Sequence, residues 1–518
     1  MDIAILSSII FSFAFATILA CLWMVLDRIW FKPKKLEMML RKQGFSGNPY
    51  RLVYGDTKEM FMMTKQAKTK PINLSDDIAP RVLPFFHHII KKYGKNSMTW
   101  QGPTPAISVT DPKLIREILS KYETFQKPKT TQISKLVVTG MLTYEGEQWV
   151  KVRRIANPAF HLDKLKEMIP KFYLCCNDMI RKWKISTLNE DSYELDVWPH
   201  IKDLARDVIS RTAFGSSYED GRKIFELISE QLDLLFEVFH LSLIPGWRFL
   251  PTKANRKLKS NYNEMRELIK GIIKKREEAL IVGEASSDDL LGLLVGSNHK
   301  EIQEHGNKES GMSLEEVIEE CKLFYLAGQE TTATLFVWTM ILLCMHQNWQ
   351  ERAREEVLQV FGNKEPRFDE LNQLKELHKI LQEALRLYPP AAQIDRATTT
   401  ECKLGETIIP PGVILSVPII LVHHDEEYWG DDVKEFNPDR FSQGVSKASK
   451  NDQVSFFPFG WGPRICIGQN FALLEAKLAL AMILQNFSFQ LSPTYVHAPV
   501  RAPTIKPQYG APMILHKI

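Results

Sequence analysis

The first apolar run of the chain extends from Ile3 to Leu26 and contains no charged side chain. At about 1.5 Å per residue, a helix of this length measures about 36 Å, enough to cross a hydrocarbon core of about 30 Å. Trp23 and Trp30 lie near its far end, where basic residues follow, whereas the leading end carries only Asp2. The pattern predicts a membrane anchor over residues 1–28, with the rest of the chain on the cytosolic side.

A cleaved signal peptide is the alternative interpretation of this run. Such a peptide has an apolar core of about 7–15 residues behind a basic leader, and the sequence has neither feature. We expect residues 29–50 to form a basic, proline-containing linker in which Pro33 ends the first helix. Residues 51–518 would then form one globular domain, because no Pro/Gly/Ser-rich segment divides them.

The body of the chain shows mostly helical periodicity. Its amphipathic stretches are Asp111–Ser120, Leu162–Trp183, Ile201–Phe214, Arg222–Phe239 and Lys259–Leu280. Strand-like runs are shorter and fewer: Ala106–Thr110, Lys403–Ile409, Val413–Val417 and Pro512–His516. Two polar segments predict exposed loops, Glu284–Asp289 and Asn298–Gly311. The pattern indicates a mainly α protein of the α+β class, with small sheets beside a helix-rich domain.

One predicted helix is unusually long. Ser313 and Glu316 form a capping box, and apolar periodicity continues from Leu314 to about His346 without a proline. Its middle carries the sequence Ala327–Thr332, which reads AGQETT. A mid-helix glycine costs about 1 kcal/mol, paired threonines are weak helix formers, and an acid is costly to bury. Several local rules are broken within one turn, which indicates a functional site.

A shorter helix is predicted from Leu374 to Leu387, where Pro389 and Pro390 follow. Glu383 and Arg386 are three residues apart and share one face of this helix. Taken alone, such a pair is usually a solvated surface contact worth about 0.5 kcal/mol or less. Its significance depends on the loop described next.

The segment from Phe459 to Gly468 immediately precedes an apolar helix, Gln469–Leu484. Cys466 therefore lies close to free N–H groups and a positive helix dipole, which favour the thiolate that ligates iron. Arg464 offers a charge to a carboxylate two residues from that ligand. A lone cysteine at a turn is usually structural, but this segment matches the pattern F-x-x-G-x-R-x-C-x-G at every fixed position.

Composition narrows the alternatives. The formal net charge is +4 over 518 residues, which gives no reason to expect nucleic-acid binding. The seven cysteines contain no C-x-x-C pair, so neither a disulfide framework nor a zinc site is expected.

The chain resembles the cytochrome P-450 superfamily along its whole length, because several motifs occur in the family's order. These motifs are Trp149-x-x-x-Arg153, Ala327-Gly328-x-Glu330-Thr331, Glu383-x-x-Arg386, Phe436–Phe441 and the loop Phe459–Gly468. The resemblance implies the fold of that superfamily, with Cys466 as the thiolate ligand of haem b.

The resemblance also assigns residues around the haem. Its carboxylates would be held by Trp149, Arg153, Arg396 and Arg464. Two alternatives stay open: Arg154 takes the place of Arg153, or Arg396 is an ordinary surface charge.

Two further groups have implied roles. Glu383, Arg386 and Arg440 would form a buried structural network behind the cysteine loop. Glu330 and Thr331 would be the catalytic acid and alcohol that deliver protons to bound O2. The alternative for Thr331 is that it only caps a helix kink.

A finer resemblance is to the plant secologanin synthase-like group, family 72, subfamily A. It rests on Trp30–Lys34, Gly47–Arg51, Ile244–Trp247 and Leu473–Lys477. It implies oxidation of a terpenoid (an iridoid, triterpenoid or gibberellin) in plant specialised or hormone metabolism. The implied partners are O2, membrane lipid of the endoplasmic reticulum and an NADPH–cytochrome P-450 reductase. In the expected substrate region Gln393 either binds a hydroxyl or carboxylate of the substrate or faces solvent.

Three rival hypotheses remain. A haem-thiolate isomerase or dehydratase needs no external electrons, but such enzymes usually depart from the Glu330–Thr331 pair and the regular cysteine loop, both intact here. A haem-binding protein without turnover does not need the complete motif around Thr331. The third is a soluble enzyme whose apolar N-terminal run does not anchor it in a membrane. Cell fractionation would decide between the soluble and the membrane-bound form.

Overall fold

The computed structural model describes residues 3–131, 133–186, 192–215, 218–242, 247–282, 289–306, 310–450 and 454–518. Helices predominate in these ranges: α1 Ile3–Leu26, α2 Lys32–Lys42, α3 Thr57–Ala67, α4 Ala79–Val82, α5 Pro84–Tyr93, α6 Pro112–Ser120, α7 Ser134–Val137, α8 Gly146–Ala156, α9 Leu162–Ser186, α10 Val197–Phe214, α11 Tyr218–Ser242, α12 Lys253–Val282, α13 Leu290–His305, α14 Leu314–Met345, α15 Gln347–Phe361, α16 Phe368–Leu371, α17 Lys375–Leu387, α18 Ile419–His423, α19 Glu426–Trp429 and α20 Gln469–Asn486. The mainly helical class predicted from periodicity is confirmed.

The strands are short, as predicted: β1 Ser46–Gly47, β2 Ser97–Gln101, β3 Thr104–Ser108, β4 Phe125–Gln126, β5 Ser192–Asp196, β6 Ile394–Thr398, β7 Cys402–Leu404, β8 Thr407–Ile409, β9 Ile414–Val417, β10 Phe487–Leu491, β11 Pro499–Arg501, β12 Ile505–Pro507 and β13 Pro512–Lys517. The largest sheet has the order β1-β2-β3-β9-β6-β4, and a second has the order β10-β13-β5. The predicted run Lys403–Ile409 is an antiparallel hairpin of β7 and β8, which turns at Gly405 with φ +57°.

The predicted loop at Asn298–Gly311 is wrong for its first half, because α13 continues to His305. Asp289 caps this helix by accepting a hydrogen bond from the Gly292 N–H at 2.7 Å. Asn298 is buried, and its Nδ2 donates to the Met312 carbonyl at 3.1 Å. The segment therefore buries a polar side chain that has a partner, which composition alone does not reveal. Residues 284–288 of the other predicted loop lie outside the described residues.

The N-terminal helix α1 exposes its apolar side chains, among them Phe11, Phe13 and Trp23. By length and composition, one helical stretch among the described residues, Ile9–Lys42, is able to span a membrane.

Pro33 does not end this helical stretch, contrary to the prediction. It occupies the first turn of α2, where its missing N–H has no helical partner to lose. A short π-helical segment, Asp27–Phe31, connects α1 to α2. α2 in turn buries Leu36 and Leu40, so this part of the predicted linker is a packed helix.

The long predicted helix is confirmed as α14. The capping box is present: Ser313 accepts from the Glu316 N–H, and the Glu316 carboxylate accepts from the Ser313 N–H. Most of α14 is buried, including the whole stretch from Thr332 to Cys344. A Cβ on Gly328 would lie 2.7 Å from the Ile209 side chain of α10. The glycine therefore allows α10 to pack closely against α14.

Candidate active site

An accessible stripe interrupts the buried surface of α14. Ala327 and Thr331, one turn apart, are exposed, whereas Leu326, Glu330 and Thr332 around them are buried. Because the segments of α14 on both sides of the stripe, residues 324–326 and 332–344, are buried, the stripe faces an opening inside the fold. The Thr331 hydroxyl donates to the Ala327 carbonyl at 2.8 Å. Since α14 remains one helix through Met345, this bond holds the hydroxyl at the opening without ending the helix.

The cysteine loop is compact. The Cys466 N–H donates to the Phe459 carbonyl at 2.9 Å, which closes the loop on itself. Gly462 has φ +71°, and a Cβ there would lie 2.7 Å from the Leu119 carbonyl oxygen at the end of α6. Glycine is thus required both by the backbone conformation and by the close approach of α6.

The Cys466 side chain is exposed, although protein surrounds the loop. Burial raises the pKa of the Cys466 thiol, while the Gly468 N–H that donates to the sulfur and the Arg153 charge lower it. Desolvation outweighs these local groups, so the pKa of the free thiol lies above its usual value. A metal cation is the additional charge that deprotonates a coordinating thiol.

The cysteine loop and α14 border the same interior. Phe160 bridges them: its ring lies 5.8 Å from the Phe324 ring of α14. On its other side, a Cβ on Gly468 would be 3.9 Å from Phe160. Helices α14 and α20 also pack directly against each other.

Arg153 of α8 is bonded to the cysteine loop itself. Its Nη1 donates to the Ile465 carbonyl at 2.9 Å, and its Nε donates to Asn157 Oδ1 at 2.8 Å. Arg154, the alternative candidate, is more than half exposed and pairs with Glu301 of α13. The structure therefore places Arg153, and not Arg154, beside Cys466.

Trp149 and Arg464 pack together on the same side of the loop. The Arg464 guanidinium lies 4.3 Å from the centre of the Trp149 ring. Its Nη2 donates to Glu145 Oε2 at 2.7 Å, and its Nη1 donates to the Tyr144 carbonyl at 3.0 Å. Both terminal nitrogens of the Arg464 guanidinium are thus already bonded to protein. Its Nε has no partner among the described residues.

Arg396 is buried, which excludes the surface alternative. Its Nη1 donates to the Asp395 carbonyl at 3.0 Å, but its buried Nε has no hydrogen-bond partner in the described part of the chain. Burial, reinforced by the nearby Arg464, lowers the pKa of Arg396 to about 10. An unpartnered donor on a buried cation fits an anionic ligand.

Lys127 joins this group and is not evident from the family motifs. The antiparallel register of β4 against β6, Phe125 with Thr398 and Gln126 with Ala397, brings Lys127 beside Arg396. Burial, followed by the charges of Arg396 and Arg464, lowers the pKa of Lys127 to about 7. In the sequence, Lys127 directly follows Phe125 and Gln126, the two residues that form β4.

The residues present fit a haem. An accessible thiol has Arg153 beside it, and the neighbouring Arg464 belongs to a group of cations with Arg396 and Lys127, in which the buried Arg396 Nε has no partner among the described residues. Haem has one iron and two carboxylates, which such a set would bind.

A second cluster lies behind the loop and has no open side. Arg386 holds Glu383 in a bidentate pair, with Nε to Oε2 at 2.8 Å and Nη2 to Oε1 at 2.7 Å, and both side chains are fully buried. Arg440 adds a contact from Nε to Glu383 Oε1 at 3.4 Å. The Arg386 Nη1 donates to the His423 carbonyl at 3.0 Å.

His423 connects this cluster to the cysteine loop. Its Nε2 accepts a hydrogen bond from the Phe457 N–H at 2.9 Å, so its Nδ1 carries the proton toward the Arg386 carbonyl at 3.2 Å. Burial lowers the pKa of His423 and keeps the ring neutral. The sequence pattern does not single out this histidine.

Glu330 and Thr331 are adjacent in sequence but point about 100° apart around the helix. Glu330 is buried, and its Oε2 lies 3.4 Å from the Thr504 hydroxyl. That hydroxyl is also 2.9 Å from Thr334 Oγ1, and Thr334 donates to the Glu330 carbonyl at 2.7 Å. The Thr334 hydroxyl has a single proton, which it donates to the Glu330 carbonyl. The Thr504 hydroxyl can then donate its own proton to Glu330 Oε2 or to Thr334 Oγ1. Thr504 is not part of the sequence motifs but lies in the segment Ala502–Ile505, which the resemblance places in the substrate pocket.

Comparison with known proteins agrees with this site. The sequence model of the family described as Cytochrome P450 matches residues 79–506. Cytochrome P450 CYP72A219 of Panax ginseng is 56% identical over 497 residues, which is 96% of each chain. Cytochrome P450 72A13 of Arabidopsis thaliana is 51% identical over 519 residues, and the match covers 100% of both chains.

The fold has a solved counterpart in the retinoic acid bound cyanobacterial CYP120A1. The two structures have a TM-score of 0.73 at 25% identity, over 84% of this chain and 94% of that chain. The chain belongs to the cytochrome P450 family, with relatives in its plant 72A group, and is a haem-thiolate monooxygenase that uses O2 and a redox partner.

Proposed function

We propose that this monooxygenase hydroxylates a terpenoid at haem b, with electrons from an NADPH–cytochrome P450 reductase on the membrane of the endoplasmic reticulum. The observation that carries the proposal is the accessible stripe of α14. It presents one hydroxyl, Thr331, beside the small apolar Ala327 and opens toward the interior that Cys466 borders. Such a mostly apolar cavity with a few polar groups suits a hydrophobic small molecule.

The cofactor would be held by residues already close together. Cys466 would ligate the iron, and Trp149, Arg153, Arg396 and Arg464, with Lys127, would surround the two carboxylates. When bound, haem supplies the iron at which O2 is activated, and thiolate ligation favours O–O cleavage. The buried cluster of Glu383, Arg386 and Arg440 would keep the loop in place.

Thr331 and Glu330 would manage protons. The Thr331 hydroxyl, fixed to the Ala327 carbonyl, is placed to hold a water at the opening. The Glu330 carboxylate lies on the neighbouring face of α14 beside Thr504, from which a proton reaches the opening through water or by side-chain rotation. Neither residue needs to ligate iron for this role.

Two observations favour a terpenoid. The structurally similar cyanobacterial protein has retinoic acid bound, and retinoic acid is an apolar isoprenoid. In addition, α1 is long and apolar enough to anchor the domain at a membrane, where apolar substrates concentrate.

The test is turnover in microsomes that contain the full-length chain and a plant NADPH–cytochrome P450 reductase. We expect NADPH-dependent hydroxylation of at least one member of a panel of iridoids, diterpenoids and triterpenoids, and none with Cys466→Ser. Product that forms equally well without reductase and NADPH would instead identify an isomerase or dehydratase. A holoprotein that couples NADPH oxidation only to non-terpenoid products would overturn the substrate class.

A further inference from the structure

A polar group outside the haem-binding set joins the two sides of the interior. Arg501, at the end of β11, donates from Nη1 to Gln393 Oε1 at 3.2 Å. Gln393, just before β6, donates in turn from Nε2 to Asp395 Oδ1 at 2.8 Å. Gln393 is therefore an amide bridge between a cation and an anion that do not touch.

Within the described ranges, the charge of Arg501 has no neutralising contact. Among the described residues no carboxylate lies at ion-pair distance from Arg501, and its Nε and Nη2 have no hydrogen bond. Burial lowers the pKa of Arg501, and Asp395 raises it only through space. The Asp395 charge also raises the pKa of Lys127 and of Arg396, so this single carboxylate is shared among three cations.

The location of this group suits substrate recognition. The turn that follows Arg501 carries Thr504, which contacts Glu330 on α14. On the other side, Ile394 reaches to within 3.8 Å of where a Cβ on Gly460 of the cysteine loop would lie. Arg501 is thus connected to α14 through its own hairpin and, through Gln393, to the strand that borders the cysteine loop, and its side chain is half-buried.

We propose that Arg501, oriented by Gln393, binds a carboxylate of the substrate and so selects acidic terpenoids over neutral ones. This inference rests on the proposed function and adds the polar group of the substrate to it. A guanidinium presents parallel N–H donors that match the two oxygens of a carboxylate, whereas a single hydroxyl leaves one donor unpaired. Gln393 fixes Nη1, so Nε and Nη2 form the edge that faces the ligand.

The experiment measures spectral binding to the full-length holoprotein in microsomes. The probes are two matched pairs of different size: abietic acid and its methyl ester, and oleanolic acid and its methyl ester. For at least one pair we expect the acid to bind about tenfold or more tighter than the ester, the scale set by one charge-assisted contact. In Arg501→Gln this preference disappears because only the affinity for the acid falls.

Two further variants separate recognition from folding. Arg501→Lys keeps the charge but loses the fork, and we expect it to retain part of the preference. Lys506→Gln removes a cation from the same hairpin, where Lys506 pairs with Val500, and we expect the preference to be unchanged. The carbon monoxide spectrum of each variant first establishes that haem content equals that of the wild type.

Three outcomes would overturn the inference: neither acid binds, acid and ester bind equally to the wild type, or Arg501→Gln weakens both by the same factor. The last outcome would give Arg501 a structural role only. Failure of the proposed function is a different result, namely that no terpenoid, acidic or neutral, is hydroxylated. Neutral terpenoids that are hydroxylated without any preference for acids would leave that function standing and remove only this inference.

Discussion

Arg153 donates a hydrogen bond across 2.9 Å to the carbonyl oxygen of Ile465, the residue before the proposed iron ligand. A helix on one side of the site is thereby bonded to the backbone that carries Cys466. The same guanidinium lowers the pKa of the Cys466 thiol against the effect of burial. Arg153 thus both fixes the loop and adds positive charge beside the sulfur.

Removal of Arg153 is expected to impair haem retention. Arg153→Ala breaks the bond to Ile465 and removes one of the charges proposed to hold the haem carboxylates. We therefore expect less haem per folded protein, measured as pyridine haemochrome. Arg154→Ala is the matched control, because Arg154 lies next in sequence but is exposed and pairs with Glu301. Equal haem loss in both variants would contradict a specific role of Arg153 at the cysteine loop.

Lys127 should matter through its charge. Lys127→Met is expected to speed the transfer of haem to apomyoglobin, because one cation of the carboxylate-binding group is removed, whereas Lys127→Arg should restore retention. The rate of haem transfer reports on this directly and does not depend on turnover. If methionine at position 127 left the transfer rate unchanged, Lys127 would have no part in holding the cofactor.

The buried pair of Glu383 and Arg386 should be structurally essential. Glu383→Ala leaves Arg386 buried without its partner, which costs about 3–5 kcal/mol. We expect a large loss of folded, haem-containing protein. Glu376→Ala, on the same helix, removes a partly exposed carboxylate that pairs with Arg352 and Lys379, and should cost about 1 kcal/mol or less. Full haem content and activity in the Glu383 variant would refute the structural role.

Thr331 is expected to affect proton delivery and not folding. A positioned proton-transfer group contributes about 10²-fold or more, so Thr331→Ala should keep its haem yet form much less product per NADPH consumed. Thr331→Ser retains the hydroxyl and should restore coupling. The measurement is the ratio of product to NADPH, with released hydrogen peroxide as the complement. Unchanged coupling in the alanine variant would leave Thr331 with a purely structural role.

Asp77 should influence stability in acid. Its Oδ1 lies 3.0 Å from His424 Nδ1. Burial raises the pKa of Asp77, but the hydrogen bond and charge of His424, the Ala79 N–H and the Lys434 charge together outweigh burial and lower that pKa to about 2. The ionised form is therefore stabilised by folding. This contribution, about 2 kcal/mol, is complete above the unfolded value of about 4 and is lost as the pH falls toward 2.

The measurement for Asp77 is the unfolding temperature of the holoprotein between pH 7 and pH 2, compared with Asp77→Asn. The difference between the two proteins should be largest at pH 7 and should vanish near pH 2. A difference that stays constant over this range would show that the Asp77 charge does not contribute.

The sequence was most informative where a pattern is long or rigid. The capping box of Ser313 and Glu316 and the uninterrupted apolar periodicity after it predicted α14 almost to the residue. Arg153 lies beside the cysteine loop, and Glu383 pairs with Arg386, which is three residues further along the same helix. Gly328 is different: its position in a motif indicated chemistry, whereas the structure shows close packing of Ile209.

What the sequence did not predict depends on long-range contacts. Lys127 reaches Arg396 only because β4 pairs with β6, and Thr504 reaches Glu330 across 174 positions. Pro33 predicts the end of a helix, but it lies in the first turn of α2, where its missing N–H breaks no helical hydrogen bond. The polar character of Asn298 predicts a loop, yet its side chain is buried and bonded to the Met312 carbonyl. In each case the deciding interaction comes from a segment distant in sequence or from a local position that composition does not specify.

The most direct test of the account is the carbon monoxide difference spectrum of reduced microsomes that contain the full-length chain. Ligation by the Cys466 thiolate predicts the strongly red-shifted Soret band of a thiolate–haem–carbon monoxide complex, and Cys466→Ser should abolish it while the protein is still produced. A band typical of histidine ligation in the wild type, or an unchanged red-shifted band in the serine variant, would contradict the assignment of Cys466 as the iron ligand.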